Sequence, residues 1–179
     1  MSAIQIHDKW FEPFIEAQEI EQAVRRMARE ISEGYPKEDP PIFVVLLKGA
    51  FVFASDLMRY CDLDSEVQFV RLSSYKGLKS SGELKMESFF DSSLKNKHVL
   101  VVEDIVDTGN TLSSFIPSLE VLGPKSVRVA SLLSKPEILK GKIHIDYLGF
   151  EIPPAFVVGY GMDYDEKGRS LPSIYQLKS

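Results

Sequence analysis

The sequence predicts an α/β fold built on a mainly parallel, twisted core sheet that is flanked by helices. Strand-like apolar runs alternate along the chain with segments whose apolar residues recur at helical spacing, a pattern typical of a parallel sheet covered on both faces. The segments 42–47 and 98–103 are apolar almost throughout, as expected of strands buried on both sides. The last third of the chain is rich in short strands and turns, and we expect it to form a cap or an edge over the carboxyl end of the sheet.

The first half of the chain opens with a predicted helix over 16–33. Its apolar residues recur at helical spacing, and charged residues fill much of the opposite face. Gly34 and the prolines that follow end this helix. The elements expected next are a strand over 42–47, a helix over 50–60, a strand over 66–72 and a short strand over 85–90. Between the last two, residues 73–84 combine serine, glycine and lysine with little apolar content, which is typical of a mobile loop.

The second half continues the alternation. A helix is predicted over 111–122, with Leu112, Phe115 and Leu119 on one face and Gly123-Pro124 as its end. The strands expected in this half lie over 98–103, 126–134, 146–150, 155–160 and 174–177. No repeat or linker interrupts the 179 residues, so we expect residues 1–179 to form a single domain.

Composition excludes several classes of protein. A hydrophobic content of 44% fits a packed globular chain, and a net charge of −5 argues against a surface that coats nucleic acid. Cys61 is the single cysteine, which rules out an intramolecular disulfide and favours a cytoplasmic location. We interpret it as a core thiol, not a nucleophile. The sequence shows neither a signal peptide nor an apolar run long enough to cross a membrane.

The most informative motif follows the strand 98–103. Glu103 and Asp104 are adjacent acids, and Asp107 lies in the turn that leads into the next helix. Thr108, Gly109, Asn110 and Thr111 complete that turn, where backbone N–H groups and the helix dipole attract phosphate. Taken alone, the same residues also fit an ordinary helix cap beside a solvated acidic turn. The phosphate-binding motifs G-x-x-x-x-G-K-[ST] and G-x-G-x-x-G are both absent.

This motif resembles the signature of the type I phosphoribosyltransferases, in which two acids precede a D-T-G-x-T turn. Further motifs match in the family's order between residues 47 and 169, and among them the chain resembles the members that act on hypoxanthine and guanine. These motifs are 47–49, 74–75 with 81–85, 130–135, 149–153, 156–160, 163–164 and Arg169. The resemblance implies the type I phosphoribosyltransferase fold, in which the terminal segments form a small hood over the core sheet.

The resemblance also implies a site for phosphoribosyl pyrophosphate. Residues 108–111 would bind the 5′-phosphate, while Glu103 and Asp104 would hold the ribose hydroxyls and help order Mg²⁺. Asp163 would hold a second Mg²⁺, giving Glu103, Asp104 and Asp163 as the metal ligands. Lys48, Gly49 and Arg169 would contact the pyrophosphate. Many family members have a cis peptide bond at the position of Leu47-Lys48. The three histidines, at 7, 98 and 144, are scattered and do not indicate a zinc site.

A purine site is implied by the same resemblance. Asp107 would face N7 of the purine as general base, and Lys135 would donate to the 6-oxo group. Phe156 would stack on the purine, and Val157 would offer backbone contacts, with Asp163 close by. Without the resemblance these residues fit a turn aspartate, a surface lysine and core apolar positions. The loop 73–84 would act as a lid that carries Ser74 and Tyr75 and excludes water.

The implied function is purine salvage by transfer of a phosphoribosyl group to hypoxanthine or guanine, with Mg²⁺ as cofactor. The implied partners are small-molecule substrates and further copies of the chain in a homodimer or homotetramer, without nucleic acid or membrane. Two alternatives remain open at this point. One is a relative that prefers xanthine, and the other is a non-catalytic RNA-binding regulator with the same fold. Lys135 argues against adenine, whose 6-amino group would repel its ammonium group.

Overall fold

The computed structural model of the chain describes residues 2–73, 85–88 and 94–178. The helices are α1 (Ala17–Gly34), α2 (Phe51–Tyr60), α3 (Asn110–Glu120) and the single turn α4 (Pro136–Leu139). The strands are β1 (Ile4–Ile6), β2 (Lys9–Ile15), β3 (Ile42–Leu47), β4 (Val67–Ser73), β5 (Lys85–Ser88), β6 (His98–Val106), β7 (Ser126–Ser134), β8 (Tyr147–Glu151), β9 (Val157–Val158) and β10 (Ile174–Leu177).

The larger sheet confirms the predicted fold class. Its six strands lie in the order β5-β4-β3-β6-β7-β8, and every neighbouring pair is parallel except the edge pair β4 and β5. Helices cover both faces of this sheet. Because all the central strands run the same way, their carboxyl ends meet at one edge, where α/β proteins place their ligands.

Two apolar layers hold the helices against the sheet. On one face, α1 and α2 bury residues such as Met27, Ile31, Phe53 and Leu57 against Leu100 and its neighbours. On the other face, α3 buries Leu112, Phe115 and Leu119. The side chains of Glu16 and Glu19 form a reciprocal capping box at the start of α1, which fixes where that helix begins. Packing of this kind makes the strand ends rigid supports for a site.

A second, four-stranded antiparallel sheet forms the hood. Its order is β1-β2-β10-β9, so it joins the amino-terminal hairpin to strands from the carboxyl-terminal third. The terminal hood implied by the family resemblance is therefore confirmed. The hairpin of β1 and β2 was not predicted, because its strands alternate only weakly between buried and exposed residues and include Pro13.

Two predicted boundaries were wrong and one helix was missed, in ways that affect the site. Strand β6 continues to Val106, so Glu103 and Asp104 lie within the strand and not at its end. The strand expected over 155–160 is reduced to Val157–Val158, and α4 was not foreseen. Within the described part of the chain, no helix has both the length and the apolar character needed to span a membrane.

Candidate active site

A cavity of about 300 Å³ lies where the carboxyl ends of the central strands meet the hood. Its lining residues come from β6, from β9 and its flanks, and from the segments that follow β3, β6 and β7, which explains how positions far apart in the sequence come together. The lining residues are Lys48, Gly49, Asp104, Ile105, Asp107, Lys135, Phe156, Val157, Met162, Asp163 and Arg169. All of these except Ile105 and Met162 were singled out from the sequence.

A smaller cavity of about 80 Å³ adjoins it at the start of α3. Its lining includes Glu103 and the turn residues Thr108, Gly109 and Thr111, and Asp107 lines both cavities. Gly109 begins α3 with a φ of 73°, a conformation that side chains disfavour, and a Cβ there would lie 2.7 Å from the Leu139 side chain. The turn therefore requires glycine, and the small cavity lies at the amino-terminal end of α3, a position that favours phosphate binding.

The two adjacent acids of the motif face different cavities. Successive residues of a strand point to opposite faces, so Asp104 lines the large cavity and Glu103 the small one. Asp104 packs directly over Gly49, where an added Cβ would lie 1.7 Å from Asp104 Oδ2. Gly161 in turn packs on the Gly49 carbonyl oxygen, 2.2 Å from an added Cβ. Only glycine at position 49 therefore leaves room for the Asp104 side chain in this position.

The half-buried carboxyl of Glu103 is perturbed by its surroundings. Its pKa lies well above the ordinary glutamate value, because burial disfavours the charged form and the Asp104 carboxylate repels it. The backbone N–H of Asp104 donates to Glu103 Oε1 at 3.3 Å and offsets part of this effect. A carboxyl held in this state in a cleft is a frequent mark of a functional site.

Lys135 and Asp107 form an ion pair inside the large cavity. Lys135 Nζ lies 2.9 Å from Asp107 Oδ2, and only 10% of the lysine side chain is exposed. Lys135 therefore points inward and is not a snorkelling surface residue. The other oxygen, Asp107 Oδ1, is buried and has no hydrogen-bond partner among the residues that the structure describes. A buried acceptor without a partner costs free energy unless a ligand satisfies it, so the pair is suited to binding one.

Phe156 forms one wall of the cavity. Its side chain is 47% exposed although it belongs to the hood, so it is not a plain core residue. Tyr164 contacts it edge-on with ring centroids 5.9 Å apart, and Phe11 lies 6.3 Å away. The two aromatic neighbours fix the orientation of the Phe156 ring. The contribution of Phe11 was missed because the hairpin that carries it was not recognised.

Charged residues close the remaining side of the cavity. Arg169 lies 2.8 Å from Asp163 and 3.2 Å from Glu166, and it also donates to the Gly161 carbonyl oxygen at 2.9 Å. Lys48 Nζ lies 2.7 Å from Glu166. Both cations hold the pKa of Glu166 below its usual range. No sequence motif indicated Glu166, since its importance depends on two cations that approach it from different loops.

The peptide bond between Leu47 and Lys48 is cis, as the resemblance implies. Ser73, the first residue of the expected lid, ends β4, whereas Ser74, Tyr75 and the rest of 74–84 lie outside the described residues. The histidines lie apart from the cavity: His98 bonds Ser126 at 2.7 Å, His7 lies 3.2 Å from the Asp165 carbonyl oxygen, and His144 is exposed beside Asp146.

The acidic residues fit a magnesium ion that is held jointly with a substrate. Among the described residues, no cluster of three His, Cys, Asp or Glu side chains could hold a metal ion without other ligands. Asp104 and Asp163 nevertheless line the same cavity, next to Lys48 and Arg169. Mg²⁺ usually takes one or two carboxylates together with water and substrate phosphates, and this donor set offers that arrangement.

Comparisons with known proteins place the geometry in a family context. A family model described as phosphoribosyl transferase domain matches residues 14–165. The hypoxanthine-guanine phosphoribosyltransferase of Aquifex aeolicus is 39% identical over 175 residues, which are 97% of this chain and 98% of that protein. The hypoxanthine phosphoribosyltransferase of Buchnera aphidicola is 41% identical over 162 residues, which are 89% of this chain and 92% of that protein.

Solved structures agree with the sequence comparisons. A crystal structure of a hypoxanthine-guanine phosphoribosyltransferase from Bacillus anthracis superposes with a TM-score of 0.86 at 35% identity, covering 93% of this chain and 98% of that chain. A hypoxanthine phosphoribosyltransferase from Staphylococcus aureus also gives 0.86, at 37% identity, covering 93% of this chain and 91% of that chain. Fold and sequence therefore point to the same group of proteins.

Proposed function

The chain belongs to the phosphoribosyl transferase family, and on that premise we propose that it is a purine salvage enzyme. It transfers the 5-phosphoribosyl group of phosphoribosyl pyrophosphate to N9 of hypoxanthine or guanine. The products are IMP or GMP, together with pyrophosphate. The observation that carries the proposal is the Lys135–Asp107 pair, which faces one cavity beside a phosphate-binding turn.

The purine binds with its N7 and O6 edge toward this pair. These two atoms are neighbours on one edge of a 6-oxopurine, and the pair presents a donor next to an acceptor. Lys135 Nζ donates to O6, and an oxygen of Asp107 accepts the hydrogen carried by N7. Adenine carries an amino group at position 6, which would place its hydrogens against the Lys135 ammonium group, so the pair selects 6-oxopurines. Phe156 stacks on the purine face, and the Val157 backbone contacts its edge.

The phosphoribosyl group binds across both cavities. Residues 108–111 hold the 5′-phosphate in the small cavity through backbone N–H groups and hydroxyls. Glu103, which lines the small cavity, and Asp104, which lines the large one, bind the ribose hydroxyls. Lys48, the Gly49 backbone and Arg169 bind the pyrophosphate at the other end of the large cavity.

The reaction requires one bond to form and one to break at C1′. N9 of the purine attacks C1′ while the bond from C1′ to the pyrophosphate oxygen breaks, and the proton on N7 passes to Asp107. Positive charge develops on the ribose and the purine, and the carboxylates of Asp107, Glu103 and Asp104 stabilise it. Lys48 and Arg169 stabilise the negative charge that accumulates on the departing pyrophosphate.

Magnesium is the proposed cofactor. We assign Asp104 and Asp163 as its ligands because both line the large cavity, and Glu103 as a further ligand on the strength of the family resemblance. When bound, the ion neutralises part of the charge of the pyrophosphate group. The resemblance further suggests a homodimer or homotetramer, which light scattering of the purified protein would measure.

A transfer assay tests the proposed function. Purified protein is incubated with hypoxanthine, phosphoribosyl pyrophosphate and Mg²⁺, and IMP and pyrophosphate are quantified. Formation of both products in equal amounts supports the proposal, and its absence contradicts it. An RNA-binding measurement on the same sample tests the regulator alternative. Neither that alternative nor the xanthine-preferring one gains support from the comparisons, whose relatives carry the names of hypoxanthine or hypoxanthine-guanine enzymes.

A further inference from the structure

A single carboxylate, that of Glu166, bridges Lys48 and Arg169, which are two of the cations that line the large cavity. Lys48 Nζ lies 2.7 Å from Glu166 Oε1, and Arg169 Nη2 lies 3.2 Å from Glu166 Oε2. Lys48 follows β3, whereas Arg169 belongs to the loop before β10, so Glu166 joins two cations that come from distant parts of the chain. Each oxygen of Glu166 accepts from one cation, as two oxygens of a phosphate group would do.

The backbone beneath Glu166 is unusual for a glutamate. Tyr164 and Lys167 exchange backbone hydrogen bonds of 2.9 and 3.1 Å across a two-residue turn. Both central residues have positive φ, 48° at Asp165 and 63° at Glu166. Turns of this geometry favour glycine, asparagine and aspartate, so a glutamate at the second position departs from local preference. Such departures concentrate at functional sites.

The three side chains differ in how firmly they are held. The Glu166 side chain is 62% exposed and that of Lys48 is 47% exposed, whereas Arg169 is only 20% exposed. Arg169 also keeps its contacts with Asp163 at 2.8 Å and with the Gly161 carbonyl oxygen at 2.9 Å. Glu166 can therefore swing into solvent while Arg169 stays in place.

The balance of charge at this end of the cavity changes when Glu166 leaves. With Glu166 in place, the cations Lys48 and Arg169 face Asp104, Asp163 and Glu166, so the region is net negative toward a polyanion. Without it, the cations and the two remaining carboxylates balance. Departure of Glu166 thus removes the repulsion between its carboxylate and an incoming polyanion. It also leaves one N–H donor on Lys48 and one on Arg169 free to bind that polyanion.

We propose that Glu166 competes with pyrophosphate for Lys48 and Arg169. In the ligand-free protein it is the counter-ion of both cations, and the pyrophosphate group of the substrate displaces it. The proposal rests on the function proposed above, because it takes these two cations to be the pyrophosphate contacts. Glu166 acts through the cations and is not itself a catalytic residue.

The variant Glu166→Gln tests this directly, because it keeps the shape of the side chain and removes its charge. The matched control is Asp165→Asn, which removes the same charge one position away in the same turn. Exposed ion pairs are individually weak, so we expect Glu166→Gln to bind Mg²⁺-pyrophosphate about two- to tenfold more tightly in a calorimetric titration. The KM for phosphoribosyl pyrophosphate should fall by a similar factor, with the KM for hypoxanthine unchanged. Asp165→Asn should match the unsubstituted protein in each measurement.

Three results would overturn the proposal. Unchanged or weaker pyrophosphate binding in Glu166→Gln would show that Glu166 does not compete, and a raised KM would show that it orients the cations for the substrate instead. An equal gain in pyrophosphate affinity in Asp165→Asn would show that the effect comes from the total charge of the turn and not from Glu166 itself. The calorimetric titration needs no turnover, so it reports on Glu166 even if the unsubstituted protein fails to form IMP, a failure that would count against the proposed function alone.

Discussion

Lys135 Nζ lies 2.9 Å from Asp107 Oδ2 at the centre of the large cavity, although the two residues are separated by a strand and a helix along the chain. The backbone places them: Lys135 N donates to the Val106 carbonyl oxygen at 3.1 Å, which ties the end of β7 to the end of β6. Donor and acceptor are thus set side by side before any purine binds. This preorganisation is the basis of the predicted selectivity for 6-oxopurines.

Replacing Asp107 by asparagine should lower turnover far more than sugar-phosphate binding. Asparagine keeps the size of the side chain but cannot take up the N7 proton, and loss of such a group costs about 10²–10⁴-fold in rate. We expect kcat to fall in that range with less than a severalfold change in the KM for phosphoribosyl pyrophosphate. Steady-state kinetics with hypoxanthine measure both. Equal losses in kcat and in sugar-phosphate binding would contradict the role of Asp107 as base.

Replacing Lys135 by methionine should weaken the use of hypoxanthine and guanine. Hydrogen bonds to charged groups contribute about 1.5–3 kcal/mol, so kcat/KM for both purines should fall by about 10- to 150-fold. Lys140→Met, at an exposed position in the next turn, is the matched control and should leave kcat/KM unchanged. A Lys135→Met enzyme that retains full kcat/KM for hypoxanthine would show that this side chain does not read the 6-oxo group.

Replacing Gly49 by alanine should disturb the site through Asp104. The added Cβ would lie 1.7 Å from Asp104 Oδ2, so the carboxylate must move away from its present position. We expect the KM for phosphoribosyl pyrophosphate to rise by about tenfold or more, with stability lowered by about 1–3 kcal/mol through overpacking. Kinetics and thermal unfolding of the same preparation separate the two effects.

Gly141→Ala is the control for that substitution. Nothing lies within 4 Å of a Cβ at Gly141, but its φ of 70° makes any side chain unfavourable. This variant should therefore lose stability and keep the KM. If it raises the KM as much as Gly49→Ala does, the change at Gly49 acts through general destabilisation and not through Asp104.

Cys61 should be unreactive near neutral pH. Burial raises the pKa of its thiol to about 11, so at pH 8 only about one molecule in a thousand carries the reactive thiolate. Alkylation by iodoacetamide should be slow at pH 8 and accelerate about tenfold per pH unit up to 11. The unfolded chain loses this proton more readily than the folded one, so the thiol's contribution makes stability fall as pH rises from about 9 to 11. Alkylation at pH 8 as fast as that of a free thiol would contradict the burial of Cys61.

The sequence predicted the core of the fold because its signals are local. Strands β3 and β7 have the bounds expected from their apolar runs, and α3 begins within a residue of the predicted position. The amino-terminal hairpin was missed because its short strands are supported mainly by pairing with β10, a contact across most of the chain. Periodicity within a short window cannot reveal such a partner.

The candidate site likewise contains residues that the sequence predicted and residues that it did not. Residues that lie in a motif, such as Asp104, Asp107 and Lys135, were found from the sequence, and the structure brings them to one cavity. Separation of Glu103 from Asp104 into different cavities follows from strand geometry once β6 is known to continue past them. Glu166 could not be found in this way, because only the folded chain brings it to both Lys48 and Arg169.

A comparison of four bases tests the proposed transfer to 6-oxopurines. Initial rates of nucleotide formation are measured with hypoxanthine, guanine, xanthine and adenine, each with phosphoribosyl pyrophosphate and Mg²⁺. We expect IMP from hypoxanthine and GMP from guanine, with adenine used at least about 10²-fold less efficiently, because its 6-amino group opposes Lys135. Use of adenine as efficient as that of hypoxanthine, or no nucleotide from either hypoxanthine or guanine, would contradict it.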